Sequence, residues 1–244
     1  MKNFSTIFKT TFLSFHTPHN IPISSPRILL QSSHIIRSSS IELLGLTLTE
    51  TLDWTPHIQK ISSKIISSCY MLRKLSYIVP PDITKIVYFA HVHSHLAYGI
   101  LFWGASPQAK RIFILQKKAV RILTWVSSRH SCRDLFKQVG VLTLTGILIQ
   151  AAATFVRINS SIFTQNSQIH DHMTRSSRHI HLATHNLSLF SKGPYYLSSI
   201  IYNKLPDKIL SSSSDSIFKH NLKSFLIDKS FYSLQEFLTP PPPV

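Results

Sequence analysis

Histidine is the residue type whose number and spacing most invite chemistry in this sequence. Of 14 histidines in 244 residues, His91 and His95 are four apart, and five more lie in HDHMTRSSRHIHLATH at 170–185. Two histidines one helical turn apart can chelate a metal ion. However, HVHSH has no carboxylate beside it to complete a zinc site, and the 170–185 stretch has the composition of a loop. We therefore predict no metal site.

Motifs that position nucleophiles or cradle phosphates do not occur. The sequence contains no GxGxxG, GxxxxGK[ST] or GxSxG, and it has only six glycines. Two-metal phosphoryl transfer needs clustered carboxylates, yet no Asp-Asp pair occurs anywhere in the chain. We therefore predict neither a catalytic residue nor a cofactor in this chain.

Positive charge restricts the function more than any motif does. Lysine and arginine number 26 against 10 acids, a net charge of +16, which favours a polyanionic partner. Residues 54–137 hold 13 of these bases but only Asp82 and Asp134, a net charge of +11. Basic helices with nearby aromatic residues suit nucleic-acid binding, although a solvated face or an anionic lipid surface would use the same charges. The candidate nucleic-acid-binding residues are Lys60, Lys64, Lys110, Arg111, Lys117, Lys118 and Arg121.

Three amphipathic helices must position these cations. The first ends before Pro80 and has the apolar stripe Ile58, Ile61, Ile65, Cys69, Leu72 and Leu75. The second is capped by Asp82, ends near Trp103 and has the stripe Ile83, Ile86, Ala90, Ala97 and Leu101. The third has the stripe Ile112, Leu115, Ala119, Ile122 and Val126, with Lys110, Lys117 and Arg121 on another face. Tyr88, Tyr98, Trp103 and Trp125 are interleaved with the basic residues of the three helices, and core packing is their plainer interpretation.

The remaining sequence predicts short strands before residue 50 and further helices over 133–138, 144–159, 195–203 and 216–228. Residues 138–156 contain no Asp, Glu, Lys or Arg and are long enough for one bilayer crossing. Buried packing is the preferred interpretation, and no membrane partner is expected. We predict no signal peptide, and two widely separated cysteines are typical of a reducing compartment, so the protein is not expected to be secreted.

Short motifs in a fixed order give the chain a family resemblance. ELLGLTL (42–48), LDWTPHI (52–58), HSHLAYGILFWG (93–104), LQKKAVRI (115–122) and SCRDLF (131–136) resemble the C-terminal part of reverse transcriptases from jockey-like non-LTR retrotransposons. The resemblance continues through FVRIN (155–159), HMTR (172–175), YNKLP (202–206) and FYSLQEF (231–237), so it covers roughly residues 10–238. LQKKAVRI, where it is densest, contains Lys117 and Arg121.

The resemblance implies a mainly α fold, in which a helical thumb-like bundle follows a small N-terminal β remnant of a polymerase palm and precedes a helical C-terminal extension. Residues 1–53 would be the truncated palm with short strands, and 54–137 the basic thumb-like domain. Residues 138–210 would be the extension, with helices and a loop. Residues 211–244 would be a Ser-rich linker, a terminal helix and a polyproline tail.

The implied function is to hold an RNA/DNA template-primer within an RNA-directed DNA polymerase, in the nucleus or cytoplasm. In that family Mg²⁺ and the Asp-Asp motif belong to the palm, so the missing palm and fingers are the expected partners. The chain departs from the family pattern in having Leu43 and Leu44 where an aromatic residue precedes Leu-Gly. A standalone basic nucleic-acid-binding protein, a non-functional transposon relic and a membrane-associated protein remain as alternatives.

Overall fold

The structure is a computed structural model that describes residues 10–17, 19, 26–30, 33–127, 129–169 and 177–239. It divides into two compact units, residues 1–60 and 61–244. Helices make up most of the described chain, and its few short strands all precede residue 50. The prediction of a mainly α protein with a small N-terminal β portion is therefore confirmed.

The strands of the N-terminal unit form three separate two-stranded pairs in the part of the chain that is described. They are β1 (Thr11–Phe12) parallel to β4 (Ile36–Arg37), β2 (Leu29–Leu30) antiparallel to β3 (Ser33–His34), and β5 (Ser40–Leu43) antiparallel to β6 (Leu46–Thr49). The turn between β5 and β6 consists of Leu44 and Gly45, with φ of 47° and 78°. A two-residue hairpin turn with both φ positive is the type I′ arrangement, which Asn-Gly fits better than Leu-Gly.

The helices occupy most of the chain after residue 54. They are α1 (Thr55–Leu75), α2 (Pro81–Tyr88), α3 (Ser94–Ala97), α4 (Ile100–Trp103), α5 (Ala109–Leu123), α6 (Arg133–Val139), α7 (Leu144–Ile158), α8 (Ser188–Ser191), α9 (Pro194–Asn203), α10 (Asp207–Leu210), α11 (Asp215–Lys229) and α12 (Leu234–Leu238). The four helices predicted after residue 130 are confirmed as α6, α7, α9 and α11, each within one residue at either end.

The predicted first helix is confirmed as α1. Asp53 satisfies the first backbone N–H of this helix, because one carboxylate oxygen accepts hydrogen bonds from the backbone N (3.1 Å) and the hydroxyl (2.9 Å) of Thr55. Its predicted apolar stripe is the buried face, and only the last member is half-exposed. The fully buried members are Ile58, Ile61, Ile65, Cys69 and Leu72.

The second helix was predicted with the wrong face inward. Of its predicted stripe, Ile83 and Ile86 are 45% and 62% exposed, Ala90 and Ala97 are exposed as well, and Leu101 is half-buried. The buried residues instead recur every four positions. They are Thr84, Tyr88, Val92, Leu96 and Ile100, followed by Trp103.

The outward face begins within α2, where Ile83 and Ile86 are exposed, and a π-helical turn after it lets the buried residues continue at four-residue spacing. In a regular α-helix, residues four apart drift slowly around the helix axis, because a turn takes fewer than four residues. Residues Phe89–His93 form a π turn between α2 and α3, and this wider turn partly offsets that drift. Gly99 then interrupts the helix with a φ of 60° before α4 begins. Asp82 does not cap α2, because Pro80 is at the cap position and Asp82 lies in the first helical turn.

The core of the larger unit surrounds α7, which packs against α9, α11, α5, α4 and α3. Eight of the 15 residues of α7 are buried, which agrees with the interpretation of residues 138–156 as core packing. In the described ranges no single helix is long and apolar enough to cross a membrane. The bent pair α6 and α7, at 59° to each other, meets the length and composition criterion only when taken together.

The Ser-rich stretch after α10 is a tight turn held by Arg157 on α7. The guanidinium donates to the backbone oxygens of Leu210 (3.4 Å) and Ser212 (3.1 Å), and it pairs with Asp215 at 3.0 Å. The predicted polyproline tail beyond residue 239 and residues 170–176 of the His-rich stretch lie outside the described residues.

Candidate nucleic-acid interface

Helix α5 carries five basic residues and no acid. At 100° per residue, these five occupy an arc of about 120° around the helix. The buried residues Ala109, Ile112, Gln116, Ala119, Val120 and Leu123 lie on the other side of the helix. The amphipathic pattern therefore gathers most of the candidate cations on one surface, which we name the α5 face. It consists of Lys110, Arg111, Lys117, Lys118 and Arg121.

The charge of the α5 face is not compensated by ion pairs. In the described part of the chain, the basic residues paired with acids are Arg37, Lys60, Arg133, Lys137, Arg157 and Lys229, with His16 beside Glu50. No residue of the α5 face is among them. Uncompensated cations on one surface attract polyanions over the Debye length, about 8 Å at physiological salt.

Two candidate cations, Lys60 and Lys64, lie outside this surface. Lys60 belongs to the N-terminal unit and forms an ion pair with Glu42. Lys64 is exposed on α1. It lies about 180° around that helix from Arg73, the α1 residue that lines the cleft described below. Its charge, together with burial as the larger cause, lowers the pKa of His95.

Lys117 is half-buried and faces aromatic rings. Its ammonium lies 4.9 Å from the ring centre of Phe113 and 5.7 Å from that of Tyr232. The Arg133 guanidinium lies over the same tyrosine at 4.5 Å and pairs with Glu236 at 2.6 Å. Cation–π contacts orient a cation without supplying a negative charge, so Lys117 at the edge of the α5 face has no acidic partner among the described residues.

The Arg133–Glu236 pair predicts an acid-sensitive attachment of α12. Arg133 and the backbone N of Tyr232 both donate to this carboxylate, which lowers the pKa of Glu236 from 4.5. The pair therefore stabilises the folded protein above pH 4.5, and this stabilisation is lost as pH falls through the lowered pKa of Glu236 in the folded state. We expect the difference in unfolding free energy between wild type and Glu236→Gln to shrink as pH falls below 4.5.

Urea unfolding between neutral pH and about pH 3 measures this difference. The double variant Arg133→Gln/Glu236→Gln isolates the pair, and it should show little further pH dependence from this interaction. A difference that stayed constant through the acid range would contradict the assignment.

The C-terminal turns of α1 and α5 enclose an open cleft of about 470 Å³. Its lining contains three cations, two large aromatic residues and no acid. The lining residues are Arg73, Ser76, Tyr77, Ile114, Lys118, Arg121, Ile122, Trp125 and Val126, and we name this site the α1–α5 cleft. Arg73 and Lys118 both lie near the Cys69 thiol, whose pKa is raised because burial outweighs the two cations.

Trp125 occupies a backbone position that normally takes glycine. Its φ is +56°, and the backbone bonds Trp125 N to Ile122 O (3.4 Å) and Val126 N to Arg121 O (3.3 Å) form a Schellman motif at the end of α5. A left-handed conformation costs a non-glycine residue about 1–2 kcal/mol. The tryptophan side chain is 56% exposed, and its remaining burial, which includes an edge-to-face contact with Tyr77, is enough to offset a cost of about this size.

The aromatic residues divide between core and surface. Tyr88 and Trp103 are fully buried, which confirms the packing interpretation for them. Tyr98 and Trp125 are exposed instead. Arg73 was not among the cations singled out from the sequence. Its spacing of four residues from Tyr77 was the available signal, because it places the two side chains on the same face of a helix.

The described residues offer no ligand set for Mg²⁺. No group of three or more His, Cys, Asp or Glu side chains in the described ranges could hold a metal ion. The Mg²⁺ implied by the resemblance therefore finds no fitting site here, and no step below depends on it. Cys69 and Cys132 are both buried free thiols.

Comparisons of the chain with protein-family models, curated proteins and solved structures find no match.

Proposed function

We propose that this chain is the thumb-like and C-terminal part of a reverse transcriptase of the jockey-like non-LTR type, and that it holds an RNA/DNA template-primer. The observation that carries the binding function is the α5 face, with five cations on one arc and no acidic partner in the described chain. The motifs in LQKKAVRI and its neighbours support the polymerase assignment. The chain itself would supply no catalytic carboxylate.

The dimensions of α5 suit a duplex backbone. A helix of 15 residues spans about 22 Å, and B-form DNA carries one negative charge per roughly 1.7 Å of axis. Hybrid duplexes offer proteins their phosphates and sugars more readily than their base edges. The α5 face would therefore hold a template-primer by its backbone, without reading its sequence.

A salt series tests the binding function. We expect the whole chain to bind an RNA/DNA hybrid of about 20 base pairs, with log K falling by roughly 0.9 per phosphate contact for each tenfold rise in salt. Five contacts predict a slope of about −4 to −5 by this relation, measured by fluorescence anisotropy. Polyglutamate of similar charge is the control. A flat salt response, or equal affinity for polyglutamate, would contradict nucleic-acid binding.

A standalone basic nucleic-acid-binding protein would use the same face, so a second measurement separates the two functions. A thumb is expected to prefer the hybrid to B-form DNA of equal length, because the hybrid is closer to A-form geometry. A binder of backbone charge alone would treat the two duplexes equally.

A further inference from the structure

We propose that the α1–α5 cleft binds one unpaired nucleotide, with its base stacked on Trp125 beside the edge of Tyr77 and its phosphates held by Arg73, Lys118 and Arg121. The inference rests on the proposed nucleic-acid binding and specifies a single-stranded element that the same protein recognises. The volume of about 470 Å³ lies within the roughly 300–1,000 Å³ typical of small-ligand sites.

The aromatic side of the cleft has open ring surface. Tyr77 and Trp125 are 71% and 56% exposed, and their rings meet edge to face, with centroids 4.9 Å apart and planes at 89°. In such a pair one ring touches the other by its edge, so ring faces remain open to a third partner. Bases stack on exposed aromatic faces regardless of their identity.

The cleft also carries positive charge. Arg73, Lys118 and Arg121 line it, and none of them has an ion-pair partner among the described residues. The Nε of Arg121 donates to the backbone oxygen of His130 at 3.0 Å, which orients the guanidinium. An oriented guanidinium and two further cations more than balance the two phosphates that flank one base.

Trp125 combines a left-handed backbone conformation with an exposed side chain at the cleft. Glycine would adopt the left-handed Schellman position without strain, whereas tryptophan is strained there and remains largely exposed. Backbone strain retained next to an open charged cleft is the pattern expected of a binding residue. An acidic peptide could satisfy the cations, but it would not use the two open rings.

Two oligonucleotides of equal charge test the stacking. A thymidine oligonucleotide of about eight residues and an abasic oligonucleotide of the same length differ only in their bases. We expect the whole chain to bind the thymidine form on the order of tenfold more tightly and to show quenched tryptophan fluorescence with it. Trp125→Gly should reduce this ratio to about one and leave the abasic affinity and the melting temperature nearly unchanged. Trp125→Phe should retain most of the preference.

Two control variants separate the contributions. Tyr70→Ala removes an exposed aromatic residue of α1 that does not line the cleft, and it should leave the ratio intact. Arg73→Gln should weaken binding of both oligonucleotides by the same factor, because it removes a phosphate contact.

The results distinguish this proposal from the proposed function. An equal affinity for both oligonucleotides in the wild type, or a ratio that survives Trp125→Gly, would overturn the stacking site even if the hybrid duplex binds. A lower melting temperature with an unchanged ratio would show that Trp125 only packs. Failure to bind the duplex and both oligonucleotides would overturn the nucleic-acid function itself.

Discussion

Replacement of Lys110, Arg111, Lys118 and Arg121 together by glutamine is expected to weaken binding of the RNA/DNA hybrid on the order of 10³–10⁴-fold at about 0.1 M salt. The physical reason is counterion release, since each neutralised phosphate contributes roughly a factor of ten at that salt concentration. Three of the four side chains are exposed, Arg121 is half-buried with one hydrogen bond to the backbone of His130, and none forms an ion pair in the described chain. Their removal should therefore leave the fold intact, and the salt slope should fall by about three to four.

A second quadruple variant controls for net charge. Lys204, Lys208, Lys219 and Lys223 are also exposed in the larger unit, but they lie on or beside α9, α10 and α11. Their replacement by glutamine changes the net charge equally and is expected to weaken binding by less than about threefold. Equal losses in the two variants would show that only total charge matters, and that result would contradict the α5 face.

Substitution of Val92 by aspartate is expected to abolish cooperative folding of the larger unit. Val92 is fully buried in the π turn between α2 and α3, and an unpaired charge there should destabilise the protein by more than about 4 kcal/mol. Circular dichroism during urea unfolding measures the loss. The variant should show no native baseline.

Ile86→Asp is the matched control, because it introduces the same charge on the face that was predicted to be buried. Ile86 is 62% exposed, so the variant should unfold within about 0.5 kcal/mol of wild type. If Ile86→Asp unfolded the protein and Val92→Asp did not, the inward face of residues 81–103 would be the one predicted from the apolar stripe.

Local periodicity was sufficient for regular helices and insufficient for the interrupted one. In α1 the apolar residues recur at three or four positions without a break, and the predicted face is the buried face. In residues 81–103 the same reasoning failed, because packing turns Ile83 and Ile86 outward in α2, and the π turn and the left-handed Gly99 then alter the relation between sequence spacing and direction. The aromatic Tyr88 and Trp103 then occupy the core instead of the smaller apolar residues.

The candidate site was predictable only in part for a similar reason. The α5 cations lie within 12 consecutive residues, so helical geometry alone placed them together. Arg73 and Trp125 are distant in sequence, and only the packing of α1 near α5 makes them neighbours in one cleft. The pairing of Lys60 with Glu42 likewise depends on where the β5–β6 hairpin lies within the N-terminal unit.

The sequence by itself determined the charge excess, the mainly α class and the cationic arc of α5, because these depend on composition and on contacts within one helix. Only the tertiary structure decided the inward face of residues 81–103 and the membership of the α1–α5 cleft. It also decided the left-handed conformation of Trp125. Those features depend on long-range packing and on backbone irregularities, which residue spacing alone does not encode.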